Sequence, residues 1–113
     1  MKIINKPWGR EELLEKNKKY MMKRLTMYKG CRCSLQYHEY KTETILIISG
    51  SLKITTGKNV TQCDEKIFYP GDSITIKKNI IHRMEAIEEC VYIEASTPEI
   101  DDVIRLKDDY KRD

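Results

Sequence analysis

Residues 30–50 read GCRCSLQYHEYKTETILIISG, and the spacing of the polar residues in this stretch is the most informative feature of the chain. Gln36 and His38 are two residues apart, and Glu43 follows just before a run of β-branched residues. In an extended strand, alternate side chains share a face, so Gln36 and His38 are expected to point the same way. Glu43 would come from the next stretch of the hairpin. The spacing therefore predicts a β-hairpin with polar side chains on its inner face.

The second histidine, His82, lies in another strand-like segment and would close a site from the opposite wall. Imidazole nitrogens, an amide oxygen and a carboxylate suit Zn²⁺, Mn²⁺, Fe²⁺, Co²⁺ or Ni²⁺ without selecting among them. A single histidine, glutamine or glutamate is usually a solvated or locally satisfied residue. The chain has only two histidines, however, and both fall where one site would need them. The predicted ligands of one divalent metal ion, with Zn²⁺ as first choice, are Gln36, His38, Glu43 and His82.

Outward from this hairpin, short strand-like segments alternate with turn signals such as Pro70-Gly71-Asp72. Helical periodicity of useful length is missing from the middle of the chain. The predicted strands are residues 19–27, 31–39, 44–49, 51–56, 60–63, 67–69, 73–76, 80–85 and 90–96. Many short antiparallel strands in one small chain favour an all-β jelly roll. The tail after Pro98 either forms a short helical turn or lies extended against the barrel.

The composition limits the classes of function. A length of 113 residues fits one domain, residues 1–113, and the 21 Lys and Arg are interspersed with 18 Asp and Glu. This balance argues against a nucleic-acid partner. The longest apolar run is Ile45-Leu46-Ile47-Ile48, which is too short for a signal peptide or a membrane span and predicts no membrane partner and a cytoplasmic location. An exposed β edge would favour a homodimer.

Two residue types are assigned structural roles. The four cysteines form no paired C-x-x-C arrangement, and without a secretory signal they are expected to be reduced. Trp8 is the only tryptophan and is expected to anchor the N-terminal segment.

The two polar segments resemble the two motifs of the cupin superfamily. Gly30-x5-Gln36-x-His38-x4-Glu43-x6-Gly50 is similar to the first motif, G-x5-H-x-H-x3,4-E-x6-G, with Gln36 at the first histidine position. Residues 71–86 are similar to the second motif, G-x5-P-x-G-x2-H-x3-N, whose first glycine and histidine are retained. The resemblance implies a single-domain cupin jelly-roll β-barrel, with motif 1 at about 30–50 and motif 2 at about 71–86.

A narrower resemblance runs from about Lys6 to Lys111 and is to the C-terminal cupin domain of type II mannose-6-phosphate isomerases. It is carried by the blocks KPWGRE (6–11), KRLT (23–26), SLQYH (34–38), IHRME (81–85) and DDVIR (101–105). It implies interconversion of mannose 6-phosphate and fructose 6-phosphate, with a metal ion polarising the carbonyl and a base moving a proton between C1 and C2. Where that family usually reads Q-x-H-H-H-R-x-E-H-W, this chain has Glu39, Tyr40, Thr44 and Ile45 in place of three histidines and the tryptophan.

The spacing does not identify the base, for which Tyr40, Lys53, Glu85 or a metal-bound water are the candidates. Tyr40 has the parity of His38 and is expected to face the cavity. The candidates for binding the substrate phosphate are Arg24, Arg32 and Arg83, and Arg32 is preferred because it shares the parity of Gln36. Two other functions remain open: an enzyme acting on another sugar or sugar nucleotide, and a non-catalytic sugar-binding cupin.

Overall fold

The computed structural model describes residues 1–110, which form nine β-strands and no helix. All strand pairings within this part of the chain are antiparallel, so the all-β prediction is confirmed. None of these residues belongs to a helix long and apolar enough to cross a membrane. The strands are β1 (Lys2–Lys6), β2 (Gly9–Lys16), β3 (Met21–Met27), β4 (Leu35–Tyr37), β5 (Glu43–Gly57), β6 (Cys63–Phe68), β7 (Ser73–Ile76), β8 (Ile81–Ser96) and β9 (Ile104–Lys107).

The strands form one curled sheet with two long central members. The order along its main path is β1-β2-β3-β8-β4-β9, and β5 joins it by pairing with β8 while also pairing with β6 and β7. The pairing of β5 with β8 runs from Glu43 opposite Ser96 to Gly57 opposite Ile81. The inner face of the curl carries the apolar core, in which Trp8 is buried as expected for an anchor.

The strand β5 is continuous where the sequence predicts a break at Gly50. The pairing with β8 shifts register between Ile47 and Leu52, so the strand bends without ending. Gly50 has a φ of 78°, and a Cβ there would lie 1.9 Å from the carbonyl oxygen of Glu89. The break predicted between the strands at 80–85 and 90–96 likewise lies within β8, opposite this bend. Only glycine fits such an approach of two backbones.

Other predicted boundaries are wrong for local reasons. The strands β1 and β2 were not predicted, because their charged sequences lack apolar alternation. Residues 60–63 form a turn up to the start of β6, since the Asn59 side chain accepts hydrogen bonds from the backbone N–H and the hydroxyl of Thr61. The tail after Pro98 contains β9, which confirms the extended alternative. All four cysteines are unpaired.

Candidate metal centre

Three buried side chains from different parts of the chain converge inside the curl. His38 follows β4, Glu43 begins β5 and His82 lies near the start of β8. Each is at most 3% exposed, and one potential ligand atom from each lies within 4.8 Å of the others. Along the β5–β8 pair, Glu43 is opposite Ser96 and His82 is opposite Thr56. Glu43 and His82 are therefore not neighbours in the pairing of β5 with β8. The curl of the sheet brings them together.

The two imidazoles present the same nitrogen to the carboxylate. Nε2 of His38 is 3.6 Å and Nε2 of His82 is 3.3 Å from Oε1 of Glu43. Nδ1 of His82 donates to the carbonyl of Ile80 at 2.9 Å, and Nδ1 of His38 donates to the carbonyl of Asp102. These backbone bonds favour the Nδ1–H tautomer, in which Nε2 carries a lone pair. Metal-binding histidines are commonly oriented in this way.

Both Nε2 atoms are buried and have no hydrogen-bond partner among residues 1–110. Buried nitrogens are rarely left unsatisfied in proteins. Two nitrogen lone pairs and a carboxylate oxygen at this spacing fit a divalent cation, which would satisfy all three at once. Burial opposes ionisation of Glu43, but the ammonium group of Lys41, 3.3 Å from Oε2, favours the charged carboxylate. The residues present therefore fit a metal ion.

Gln36, the fourth predicted ligand, lies beside this cluster. It is half-buried, lines the same cavity as His38 and Glu43, and is paired across the strands with His82. Its Oε1 accepts a hydrogen bond from the hydroxyl of Ser34 at 3.0 Å. Gln36 as a ligand stays a prediction.

A buried ion-pair chain extends from the cluster, and its members were not predicted. Nζ of Lys41 is 3.3 Å from Oε2 of Glu43 and donates to Oε2 of Glu94 at 3.1 Å. Lys23 is paired across the strands with Glu94 and lies 3.3 Å from Glu11. Burial raises the pKa of Glu94 to about 7, with the negative charge of Glu43 adding to the effect. Burial opposes the charge on Lys41, but Glu94 and Glu43 raise its pKa.

The burial of Lys23 and Glu94 could have been predicted from the alternation of residues along their strands. On β3, Lys23 stands between the buried residues Met21 and Leu25, and on β8 Glu94 stands between the buried Tyr92 and Ser96. A charged residue at an inward position of a period-two pattern is expected to be buried with a partner.

The cluster opens into a cavity of about 420 Å³. Its wall includes Gln36, His38, Lys41, Glu43 and Glu94. The volume lies within the range of small-molecule sites, roughly 300 to 1,000 Å³. The arrangement can hold a metal ion at one side of a polar pocket.

The expectation that Tyr40 faces this cavity is wrong, because its side chain is 69% exposed. The chain leaves strand geometry after Tyr37, so the parity of β4 does not continue. The carboxylate of Asp102 accepts the backbone N–H groups of Glu39, Tyr40 and Lys41 at 3.1, 2.7 and 2.9 Å. This turn directs Tyr40 outward, while Lys41 enters the cavity.

The other candidate bases also lie outside the cavity. Lys53 alternates with the buried Leu52 and Ile54, which puts it on the outer face of β5. Its Nζ lies 3.6 Å from Oε1 of Glu85 and 3.3 Å from Oε2 of Glu65. Lys53 and Glu85 are therefore partners in a surface ion pair.

The three arginines predicted to bind phosphate do not line the cavity either. Arg24 donates to Glu12 through Nε and Nη2 at 3.1 and 2.7 Å. Arg32 and Arg83 both bind Asp109, which fastens the tail to the barrel. Arg32 makes only an isolated bridge to Glu85 and is not part of β4, so its parity with Gln36 is lost.

Removing the carboxylate of Asp102 by the Asp102→Ala substitution should weaken metal binding about 10- to 100-fold, as is typical for partners that orient ligands. The backbone carbonyl that accepts from His38 remains, but the turn that holds it loses three hydrogen bonds. Competition with a chromophoric chelator measures the affinity. Asp101→Ala is the matched control, because the exposed Asp101 side chain accepts no such bonds. Equal affinities of the two variants would contradict the assignment.

The family described as mannose-6-phosphate isomerase C-terminal has a model that matches residues 1–108. The xanthan biosynthesis protein XanB of Xanthomonas campestris pv. campestris is 26% identical over 114 residues, which cover 96% of this chain and 23% of XanB. The mannose-1-phosphate guanylyltransferase of Salmonella muenchen is 29% identical over 108 residues, covering 92% of this chain and 22% of the enzyme. The chain thus spans less than a quarter of the length of these relatives.

The fold is shared with solved structures of other proteins, among them the following three. KdgF from Halomonas sp. superposes with a TM-score of 0.78 at 14% identity, covering 89% of this chain and 91% of that one. The capsular polysaccharide assembling protein CapF from Staphylococcus aureus gives 0.79 at 17% identity, covering 93% and 34%. The S161A mutant of the Bacillus subtilis oxalate decarboxylase OxdC gives 0.80 at 18% identity, covering 94% and 30%. At these identities the likeness concerns the fold alone.

Proposed function

Because the chain belongs to the family of mannose-6-phosphate isomerase C-terminal domains and has the cupin fold, we propose that it is a metal-dependent sugar-phosphate isomerase. The proposed reaction interconverts mannose 6-phosphate and fructose 6-phosphate. The observation that carries the proposal is the buried cluster of His38, Glu43 and His82, in which two Nε2 atoms without hydrogen-bond partners among residues 1–110 face one carboxylate. His38 and Glu43 of this cluster line a polar cavity.

The proposed metal ion, Zn²⁺ as first choice, would be held by His38, Glu43 and His82, with Gln36 as fourth ligand. A bound divalent ion would polarise the sugar carbonyl and stabilise negative charge on its oxygen. Lys41 keeps Glu43 ionised and turned toward the histidines by contacting its other oxygen. Each of the three ligands is at most 3% exposed, which limits access of bulk water to the proposed metal ion.

Glu94 is the side chain that we assign to proton transfer between C1 and C2. It lines the cavity, is not one of the ligands and is held by the hydrogen bond from Lys41. It replaces the candidates Tyr40, Lys53 and Glu85, which lie outside the cavity. A carboxylate in this position can accept the proton from one carbon and return it to the other.

Metal-loaded protein should convert mannose 6-phosphate to fructose 6-phosphate, lose the activity with a chelator and regain it with Zn²⁺ or Co²⁺. A coupled assay of fructose 6-phosphate formation measures this. Glu94→Gln is the diagnostic variant: kcat should fall about 100-fold, within the usual range for a general base, while the metal content stays at one ion. If metal-replete protein turns over no hexose phosphate, the isomerase proposal fails.

The second candidate is a non-catalytic sugar-binding domain. It is favoured by the position of Tyr40, Lys53 and Glu85 outside the cavity, and by the chain matching only a fraction of relatives named as guanylyltransferases. It requires sugar binding without turnover in the same assay. An enzyme for another sugar or sugar nucleotide would show turnover of that substrate instead. The homodimer and the cytoplasmic location stay predictions, to be checked by sedimentation velocity and by cell fractionation.

A further inference from the structure

The mouth of the cavity lies between the two ends of the sheet. The strands β1 and β9 stand at opposite ends of the main strand order, yet residues of both line the same cavity. Lys2, Ile4 and Lys6 come from β1, and Arg105 comes from β9. The curl therefore places two edge strands around one opening.

The charges that line the cavity divide into two groups. The deep cations, Lys23 and Lys41, are buried and contact carboxylates. The cations at the mouth are Lys2, Lys6 and Arg105, which we call the rim cations; they are exposed or half-buried. No rim cation has an ion-pair or hydrogen-bond partner among residues 1–110.

The rim keeps a net positive charge. Of the charged residues that line the cavity, five are cations and four are acids, which leaves one positive charge. Glu11, opposite Ile4 on β2, is paired with Lys23, so the excess positive charge lies among the rim cations. The apolar side chains of Ile4, Ile100 and Val103 line the same region and lower the local dielectric constant, which strengthens attraction of an anion. Unpaired cations beside apolar surface at the mouth of a cavity are suited to a doubly charged anion.

We propose that the rim cations bind the phosphate group of a phosphorylated sugar whose other end reaches the metal centre. Arginine can hold two phosphate oxygens through its planar fork, and lysines add point charges from the facing strand. The proposal rests on the proposed function for the identity of the sugar, but binding can be tested without turnover. It replaces Arg24, Arg32 and Arg83, whose charges are taken up by Glu12 and Asp109.

Two of the rim cations lie in sequence blocks that carry the family resemblance. Lys6 begins KPWGRE, and Arg105 ends DDVIR. In the second block, Asp102 holds the turn beside His38, and Arg105 follows on β9. One short segment thus contributes both to the orientation of the metal centre and to the proposed phosphate site.

Binding of fructose 6-phosphate to the Zn²⁺-loaded protein tests this, measured by calorimetry and by the fluorescence of Trp8, which lines the cavity. The wild type should bind fructose 6-phosphate at least about tenfold more tightly than fructose, and inorganic phosphate should compete with it. Arg105→Gln and the double variant Lys2→Gln/Lys6→Gln should each weaken binding of the phosphate ester about tenfold or more, the usual scale for a charge-assisted contact. Metal content and thermal midpoint should not change.

Arg24→Gln is the matched control, because it also removes a surface cation but one that is paired with Glu12. It should leave the affinity within about twofold. The inference is wrong if the rim variants bind fructose 6-phosphate as the wild type does, if fructose binds equally well, or if inorganic phosphate does not compete. Phosphate-dependent binding without any isomerisation would refute the proposed function alone. Isomerisation with an unchanged KM in Arg105→Gln would refute the rim site alone.

Discussion

Replacing His82 with alanine will abolish stoichiometric metal binding, with an expected loss of affinity of more than about 100-fold, beyond that of orienting partners. His82 is fully buried, and its Nε2 is one of two unpaired nitrogens that face Glu43. Without it, His38 and Glu43 remain on one wall and cannot surround an ion. Elemental analysis after chelation, reloading with Zn²⁺ and desalting measures the bound metal.

The control has to separate loss of a ligand from loss of folding. Ile54→Ala serves this purpose, because Ile54 is 1% exposed, lies opposite Met84 on β8 and does not line the metal cavity. That variant should lose about 2 to 5 kcal/mol of unfolding free energy and still bind one ion. One equivalent of tightly bound metal in folded His82→Ala protein would refute the ligand set.

Replacing Lys41 with methionine should lower the free energy of unfolding by about 3 to 5 kcal/mol, the usual cost of breaking a buried ion pair. Lys41 is 4% exposed, and its ammonium group contacts both Glu43 and Glu94, which are 3% and 6% exposed. Its removal leaves two carboxylates in the interior with Lys23 as the remaining nearby cation. Urea unfolding in the presence of a chelator gives the free energy without a contribution from bound metal.

Two further variants test whether the stability loss of Lys41→Met comes from the unpaired buried carboxylates. Lys41→Met combined with Glu94→Gln should recover part of the lost stability, because one of the two unpaired carboxylates is then neutral. Lys29→Met removes a lysine from an exposed pair with Glu88 at 3.6 Å and should cost less than about 1 kcal/mol. A Lys41→Met variant as stable as Lys29→Met would show that the buried chain of charges contributes little.

The C-terminal segment contributes both to the metal centre and to the proposed phosphate site. Residues 99–110 hold the metal-side turn through Asp102, supply Arg105 and fasten β9 through Asp109. From the sequence, residues 101–105 were part of the family resemblance, and the conformation of the tail after Pro98 was left open. Its role depends on which strand it joins, and β9 joins β4 at the edge of the sheet.

Local physics explains why part of the site was predictable. Within a strand, side-chain direction alternates with a period of two, so the all-β class and the burial of Leu52 and Ile54 on one face follow from the chain itself. His38, Glu43 and His82 were selected by residue type and position along the chain, and the structure brings them together. Residue type and spacing were enough to identify these three residues, because the chain has only two histidines and imidazole is a common metal ligand.

The tertiary structure alone decided which charges face the cavity. Parity ends where a strand ends, so the turn held by Asp102 sends Tyr40 outward and Lys41 inward. Arg24, Arg32 and Arg83 are turned to carboxylates on other segments, while the curl brings Lys2, Lys6 and Arg105 to one opening. The curl also brings Glu43 to within 3.3 Å of His82. In the pairing of β5 with β8, these two residues lie at opposite ends. A side chain's direction is set by its own strand, but its neighbours are set by sheet curvature and long-range register, which are properties of the whole fold.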